Sequence, residues 1–210
     1  TPGSTPRFSD PGTAWRIPAG ANLVLDVHYH PNGRPQIDRT RIGLYYAKGP
    51  IDKRVRFGAV GSTVFAIPPG EERYKIAASR RIPLDIHLVS GWPHMHYLGR
   101  EMKVWATLPG GGTEPVVWVP DYDIHWQTAY ILKEPLALPS GSKLELSAYY
   151  DNTANNPLNP YRKPRTVFFG QRAKDEMCFF YFNYTVDSER LTRGEAVGFD
   201  GLELQVEAGG

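Results

Sequence analysis

With a single cysteine, Cys178, in 210 residues the chain cannot form an internal disulfide, and that count alone leaves the redox compartment open. Long apolar runs are missing too. The longest, such as Cys178-Phe-Phe-Tyr-Phe182, fall far short of the roughly 20 residues that a bilayer-spanning helix needs, so no membrane span is expected. Neither sign of charge dominates: 24 Lys and Arg stand against 22 Asp and Glu, a net charge of +2. No single-sign field is present to draw nucleic acid or an anionic membrane. Helical periodicity is scarce, with weak signs only over 187–197, and no internal repeat stands out. The first residues, Thr1-Pro-Gly-Ser-Thr-Pro-Arg7, have no basic start followed by an apolar stretch. They read as a linker rather than a signal peptide, and the chain as a mature or excised piece of something longer.

Apolar residues make up 41% of the chain, enough for a core. Gly (21) and Pro (19) are spread along its whole length and punctuate short segments rich in Val, Tyr, Trp, Thr and Ile. That is the all-β pattern. Strands are expected near 22–30, 41–48, 54–60, 73–79, 83–91, 99–107, 114–119, 124–132, 143–150, 175–186 and 200–206. Turn clusters separate them, among them Pro68-Pro69-Gly70, Pro109-Gly110-Gly111-Gly112 and Pro139-Ser140-Gly141. Eleven or so short strands with little helix imply an antiparallel β-sandwich or jelly roll. Residues 1–20 read as a linker-like segment and 21–210 as one domain. A polar stretch, 151–165, is long enough to be a functional or mobile loop.

Four of the six histidines form two His-x-His pairs, His28/His30 and His94/His96. Strand residues two apart share a face, so each pair can offer two imidazoles to one ion. A lone pair of this kind is more often ordinary surface; two in one chain weigh toward ligation. His94 and His96 lie in Gly91-Trp-Pro-His-Met-His-Tyr-Leu-Gly-Arg100, just before a glycine turn where a metal stays open to small molecules. Met177 lies in Asp175-Glu-Met-Cys-Phe-Phe-Tyr-Phe-Asn-Tyr184. There Met177, Phe179, Tyr181 and Asn183 share one face and Cys178, Phe180, Phe182 and Tyr184 the other. A methionine in such a strand is usually plain core. Two imidazoles plus a thioether nevertheless make a soft donor set that suits Cu(I), whereas an iron oxygenase would want a carboxylate with its two histidines.

His94-Met-His-Tyr-Leu-Gly99 and Asp175-Glu-Met-Cys178 resemble the two ligand motifs of the copper type II, ascorbate-dependent monooxygenases. Leu25-Asp-Val-His-Tyr29 resembles the segment that opens the family's C-terminal catalytic domain. The three occur in the family order and at roughly its spacing over 22–186. Segments similar to Val27-His-Tyr-His-Pro-Asn-Gly33, Asp151-Asn-Thr-Ala-Asn-Asn-Pro157 and Asp175-Glu-Met177 recur in bacterial proteins that carry this domain.

The resemblance implies roles. His94, His96 and Met177 match the ligands of the copper that activates dioxygen, and His28 matches one ligand of a second, electron-storing copper. The family takes the other two ligands of that second copper from an N-terminal domain. One complete copper site and one partial site are thus expected, served by ascorbate or another electron donor. An N-terminal domain or a neighbouring chain would complete the second site, and the setting would be secreted, periplasmic or extracellular. His30 faces the same way as His28 and is either a further donor or a solvated neighbour.

The chain also departs from the pattern. In the peptide-hydroxylating branch an arginine two positions before the first histidine grips the substrate carboxylate; here that position is Trp92. An asparagine two positions after the methionine is here Phe179. Only Tyr181, four positions after the methionine, keeps that branch's residue type, and it is the candidate catalytic side chain. Trp92, Phe179 and His125 are expected to line an apolar, aromatic pocket for a small-molecule substrate. Animal relatives bond the cysteine after the methionine to a neighbouring strand, but 144–150 has none, so Cys178 should be a free buried thiol facing away from the copper. His87, alternating with Asp85 and Val89, reads as structural.

Two other function classes compete. One is a copper-binding or assembly module without turnover. The other is a cupin-like metal dioxygenase, for which His94-x-His96 and Glu101 fit the first motif, but no histidine follows Pro139-Ser-Gly141.

Overall fold

The computed structural model describes residues 9–25, 27, 29 and 32–198. Its strands are β1 (Thr13–Ala14), β2 (Lys53–Arg54), β3 (Arg56–Ser62), β4 (Ala66–Ile67), β5 (Tyr74–Arg81), β6 (Ile86–His94), β7 (Gly99–Thr107), β8 (Thr113–Val119), β9 (Tyr130–Leu138), β10 (Lys143–Tyr150), β11 (Val167–Phe168) and β12 (Cys178–Val186). Two four-stranded antiparallel sheets dominate, in the orders β3-β12-β6-β9 and β5-β10-β7-β8. The all-β sandwich is as expected. Over 187–197 the helical tendency yields only a 3-10 turn, Leu191–Arg193, closed by Gly194 at φ 76°.

Alternation builds the core. Cys178, Phe180, Phe182 and Tyr184 turn inward from β12 and meet Met102, Val104 and Ala106 of β7 and Leu144, Leu146, Ala148 and Tyr150 of β10. The large rings need bare neighbours. A Cβ on Gly91 would lie 2.2 Å from the Phe180 ring, and one on Gly58 would lie 2.5 Å from the Phe182 ring. Glycine on the flanking strands is what lets both rings lie flat on the sheet.

Three expectations about strands need correcting. Strand 124–132 is displaced: 124–129 form a loop and β9 begins at Tyr130. Pro135 is accommodated within β9 because β9 is a sheet edge and its ladder with β6 is irregular between Leu88 and Ser90. The described residues of 22–30 form no strand, nor do 41–48. A strand is made by its neighbour, and among the described residues no sheet edge takes these segments up. Their apolar side chains stand in solvent, Val24 at 88% and Tyr45 at 78% exposure. Segment 200–206 lies outside the described residues.

The polar stretch 151–165 is a tied loop. Asn152 Nδ2 donates to the carbonyls of Ile67, Pro68 and Arg165, and Asn159 Nδ2 donates to Asn152 Oδ1.

Candidate metal centre

β6 delivers His94 on the outer face of its sheet, and the chain then turns through Met95-His-Tyr-Leu98 into β7, with Gly99 N–H donating to His96 O at 3.2 Å. Met95 is fully buried, His96 is nearly so, and His94 is half-buried. A Cβ on Gly99 would lie 2.6 Å from Met95 Cβ, so glycine is required where the turn folds back on its own methionine. The two imidazoles stand 5.3 Å apart between ring centres at an interplanar angle of 89°. One ion at about 2 Å from a nitrogen of each ring can sit between them.

Each ring is oriented through Nδ1. His94 Nδ1 lies 2.6 Å from Gln127 Oε1, and Gln127 is itself fixed because its Nε2 donates to Ile124 O at 2.8 Å. His96 Nδ1 lies 3.0 Å from the carbonyl of Asp175. Both partners are acceptors, so both Nδ1 atoms carry hydrogen, and in the neutral rings Nε2 carries the lone pair.

The methionine segment comes alongside from β12. The ladder pairs Phe179 with His94, and one carboxylate oxygen, Glu176 Oε2, accepts from both the His96 N–H (2.8 Å) and the Met177 N–H (2.9 Å). Met177 is half-buried. Among the described residues no three His, Cys, Asp or Glu side chains converge.

Beside the histidines an aromatic row covers the outer face of the sheet. Tyr181 stands 5.9 Å from the His94 ring, 5.6 Å from Trp92, and in stacked contact with Phe179 at 5.5 Å and Phe57 at 5.5 Å. Phe179 is 2% exposed beneath Phe169, so it supports the row, while Phe57 is partly open to solvent. Burial raises the Tyr181 hydroxyl above its ordinary value. His125 is exposed, bonded to Asp123 at 3.0 Å, with its ring 6.3 Å from Tyr97. It lies two residues from Gln127 but at the outside of that loop. His87 pairs with Asp187 at 2.6 Å, away from the row. Cys178 is buried on the core face, and burial pushes its thiol up to about 12. His28 and His30 lie outside the described residues.

Several residues that hold this arrangement escape a sequence reading. Gln127 gives no signal beyond the polar and aromatic cluster around it. Tyr122, also in that loop, accepts from Met95 N–H at 3.1 Å and donates to Met95 O at 2.8 Å. Glu176 does leave a trace: it falls on the inward face of its strand with Cys178 and Phe180, where a carboxylate is out of place. It is fully buried, and burial raises its carboxyl to about 7 against the lowering effect of the N–H groups of His96, Leu98, Met177 and Gly99.

Residues 55–194 match the copper type II ascorbate-dependent monooxygenase C-terminal domain. The chain belongs to this family. It is 26% identical over 173 residues to MOXD1 homolog 1 of Drosophila melanogaster, a match that covers 77% of the chain and 24% of that protein. The chain thus spans about a quarter of the length of that curated relative. Among solved structures, one of infectious bursal disease virus, Gx strain, covers 78% of the chain and 40% of its own at 13% identity, with a TM-score of 0.30. Copper and ascorbate dependence go with the family, and among the described residues no helix is long and apolar enough to cross a membrane.

Proposed function

We propose that His94, His96 and Met177 hold one copper ion, and that the chain is the oxygen-activating part of a monooxygenase that hydroxylates a C–H bond of a small molecule with ascorbate or another electron donor. The observation that carries this reading is the pair of imidazoles, 5.3 Å apart and each held by a hydrogen bond at Nδ1, with Met177 tied to the same turn. Two imidazoles and a thioether fit Cu(I). Copper bound there supplies activation of dioxygen and one of the two electrons that hydroxylation consumes.

The chain's own residues do the rest. Gln127 and the Asp175 carbonyl fix the imidazoles. Trp92, Tyr181 and Phe57 offer an apolar surface beside His94 that excludes water and takes an apolar or aromatic substrate face. Tyr181, nearest of these to the His94 ring, is the side chain placed to touch substrate. The ring neighbours of Tyr181 among the described residues, Phe57, Trp92, His94 and Phe179, are all aromatic, which favours an apolar or aromatic substrate face over a carboxylate-bearing one such as a glycine-extended peptide.

His28 is assigned to a second, partial copper site, completed by an N-terminal domain of the same protein or by a neighbouring chain. The exposed apolar side chains of Leu23, Val24, Leu25, Val27 and Ile37 support a partner that covers this segment. A secreted, periplasmic or extracellular location accords with a copper enzyme of this family.

X-ray absorption on the reduced, copper-loaded chain tests the centre. A sulfur scatterer that disappears in Met177→Ala is expected. An unchanged spectrum in that variant overturns the assignment.

A further inference from the structure

Among the described residues two glutamates are wholly buried, and they are treated differently. Glu189 is met by the guanidinium groups of Arg54 at 2.5 Å and Arg56 at 2.9 Å. Glu176 has no such partner among the described residues. Its carboxylate is met by backbone: Oε2 accepts from the N–H of His96 and of Met177, and Oε1 from the N–H of Leu98 at 2.8 Å. The main chain at Glu176 is held as well, its N–H donating to Phe168 O and its carbonyl accepting from Gly170 N–H, each at 3.1 Å.

A buried carboxylate is costly, and a backbone needs only neutral acceptors to satisfy its N–H groups. What a carboxylate adds is two oxygens with about four acceptor sites in one rigid plane, able to hold donors from two chain segments at once. Those segments are the turn that carries His94 and His96 and the stretch that carries Met177. We propose that Glu176 is a positioning residue that locks these two segments into one body, so that the Met177 thioether is set relative to His96 before any metal binds. The proposal rests on reading His94, His96 and Met177 as copper ligands.

The lock matters most for the sulfur. A methionine side chain has three rotatable bonds and a weakly donating thioether, so it ligates well only from a fixed root. The imidazoles have their own supports in Gln127 and the Asp175 carbonyl. Loss of the Glu176 carboxylate should therefore strip sulfur from the centre and leave the two nitrogens.

Glu176→Gln keeps the shape but turns one acceptor into a donor that faces an N–H. Glu176→Asp keeps the charge but is shorter by one methylene and cannot reach both segments. Loaded with Cu(I), both variants should lose or lengthen the sulfur contact seen by X-ray absorption, keep two imidazoles, and bind Cu(I) about 10- to 100-fold more weakly. Glu189→Gln, altered at the opposite end of β12, is the control for general loosening and should keep its sulfur. In the metal-free wild-type chain, the amides of His96, Leu98 and Met177 should exchange with solvent as one protected unit. Wild-type sulfur signal and affinity in Glu176→Asp, equal sulfur loss in Glu189→Gln, or independent exchange of the three amides would each overturn the lock. Absence of sulfur in the wild-type spectrum would instead overturn the ligand reading, with the exchange result still deciding the lock.

Discussion

Gln127 Oε1 and His94 Nδ1 meet at 2.6 Å, and through this bond a loop residue decides which nitrogen of a distant strand residue carries the proton. Gln127 is buried, and its amide cannot be reversed without losing the bond to Ile124 O. Gln127→Ala removes this support from the His94 ring. Cu(I) affinity should fall about 10- to 100-fold. Titration against a competing Cu(I) chelator measures it, and wild-type affinity would show that the ring is held by packing alone.

Tyr122 secures the peptide between the histidines. Its hydroxyl serves both the N–H and the carbonyl of Met95, and all of these groups are buried. Burial raises that hydroxyl, which therefore stays protonated as a donor across the ordinary pH range. Tyr122→Phe leaves two backbone groups without a partner and should cost about 1–3 kcal/mol in unfolding free energy. Urea denaturation reads the loss directly. A smaller change would mean that water replaces the hydroxyl.

Much of this architecture was legible in the sequence. β7 and β10 fall where alternation and turn residues put them, because each is flanked on both sides and its apolar face has only one place to go. The segments that carry His94, His96 and Met177 lie side by side because an antiparallel ladder joins β6 to β12 and Glu176 accepts from the N–H of both His96 and Met177. Segments 22–30 and 41–48 alternate just as well, yet the described residues of both stand apart from any sheet. Local pattern specifies a face, and only a neighbouring strand turns it into a ladder. Gln127 and Tyr122 were hidden for a similar reason: they lie in an irregular loop whose path no periodicity encodes.

Gly91 tests the packing beneath the site. A methyl group there would meet the Phe180 ring at 2.2 Å and the Tyr181 carbonyl at 2.9 Å, and the second of these is backbone that cannot swing away. Gly91→Ala should destabilise by about 1–3 kcal/mol or more through overpacking. A lowered thermal midpoint with shifted Trp92 fluorescence is the expected outcome. A wild-type midpoint would mean that β6 and β12 can part without loss.

Acid should unfasten the far end of β12. Burial alone would raise the Glu189 carboxyl, but hydrogen bonds from the Arg54 side chain and backbone, with Arg56 nearby, hold it below its ordinary 4.5. A carboxyl depressed in the folded state stabilises above its unfolded value and loses that stabilisation as pH falls through the folded one. Stability should therefore decline below about pH 4.5, over the window between the two values. Glu189→Gln should be less stable at neutral pH and show a weaker decline in that window. An identical acid profile in the variant would place the acid sensitivity elsewhere.

Copper stoichiometry separates the two sites. On the proposed reading, His94, His96 and Met177 offer three donors from two segments that Glu176 joins before metal arrives. The proposed second site would take His28 from this chain, with His30 two residues on, and each absent imidazole would remove a bond that a complete site pre-orients. A two-donor site should lose its copper at concentrations where the three-donor site is full. One tightly held copper per chain is therefore expected after dialysis, with slow or uncoupled oxygen consumption in ascorbate. Product should form in a single turnover only when the N-terminal half is supplied, in the same polypeptide or as a separate chain. Metal analysis checks the first expectation and the turnover assay the second. Two firmly bound coppers and full hydroxylation by the 210-residue chain alone would mean that the second site is built from residues within it.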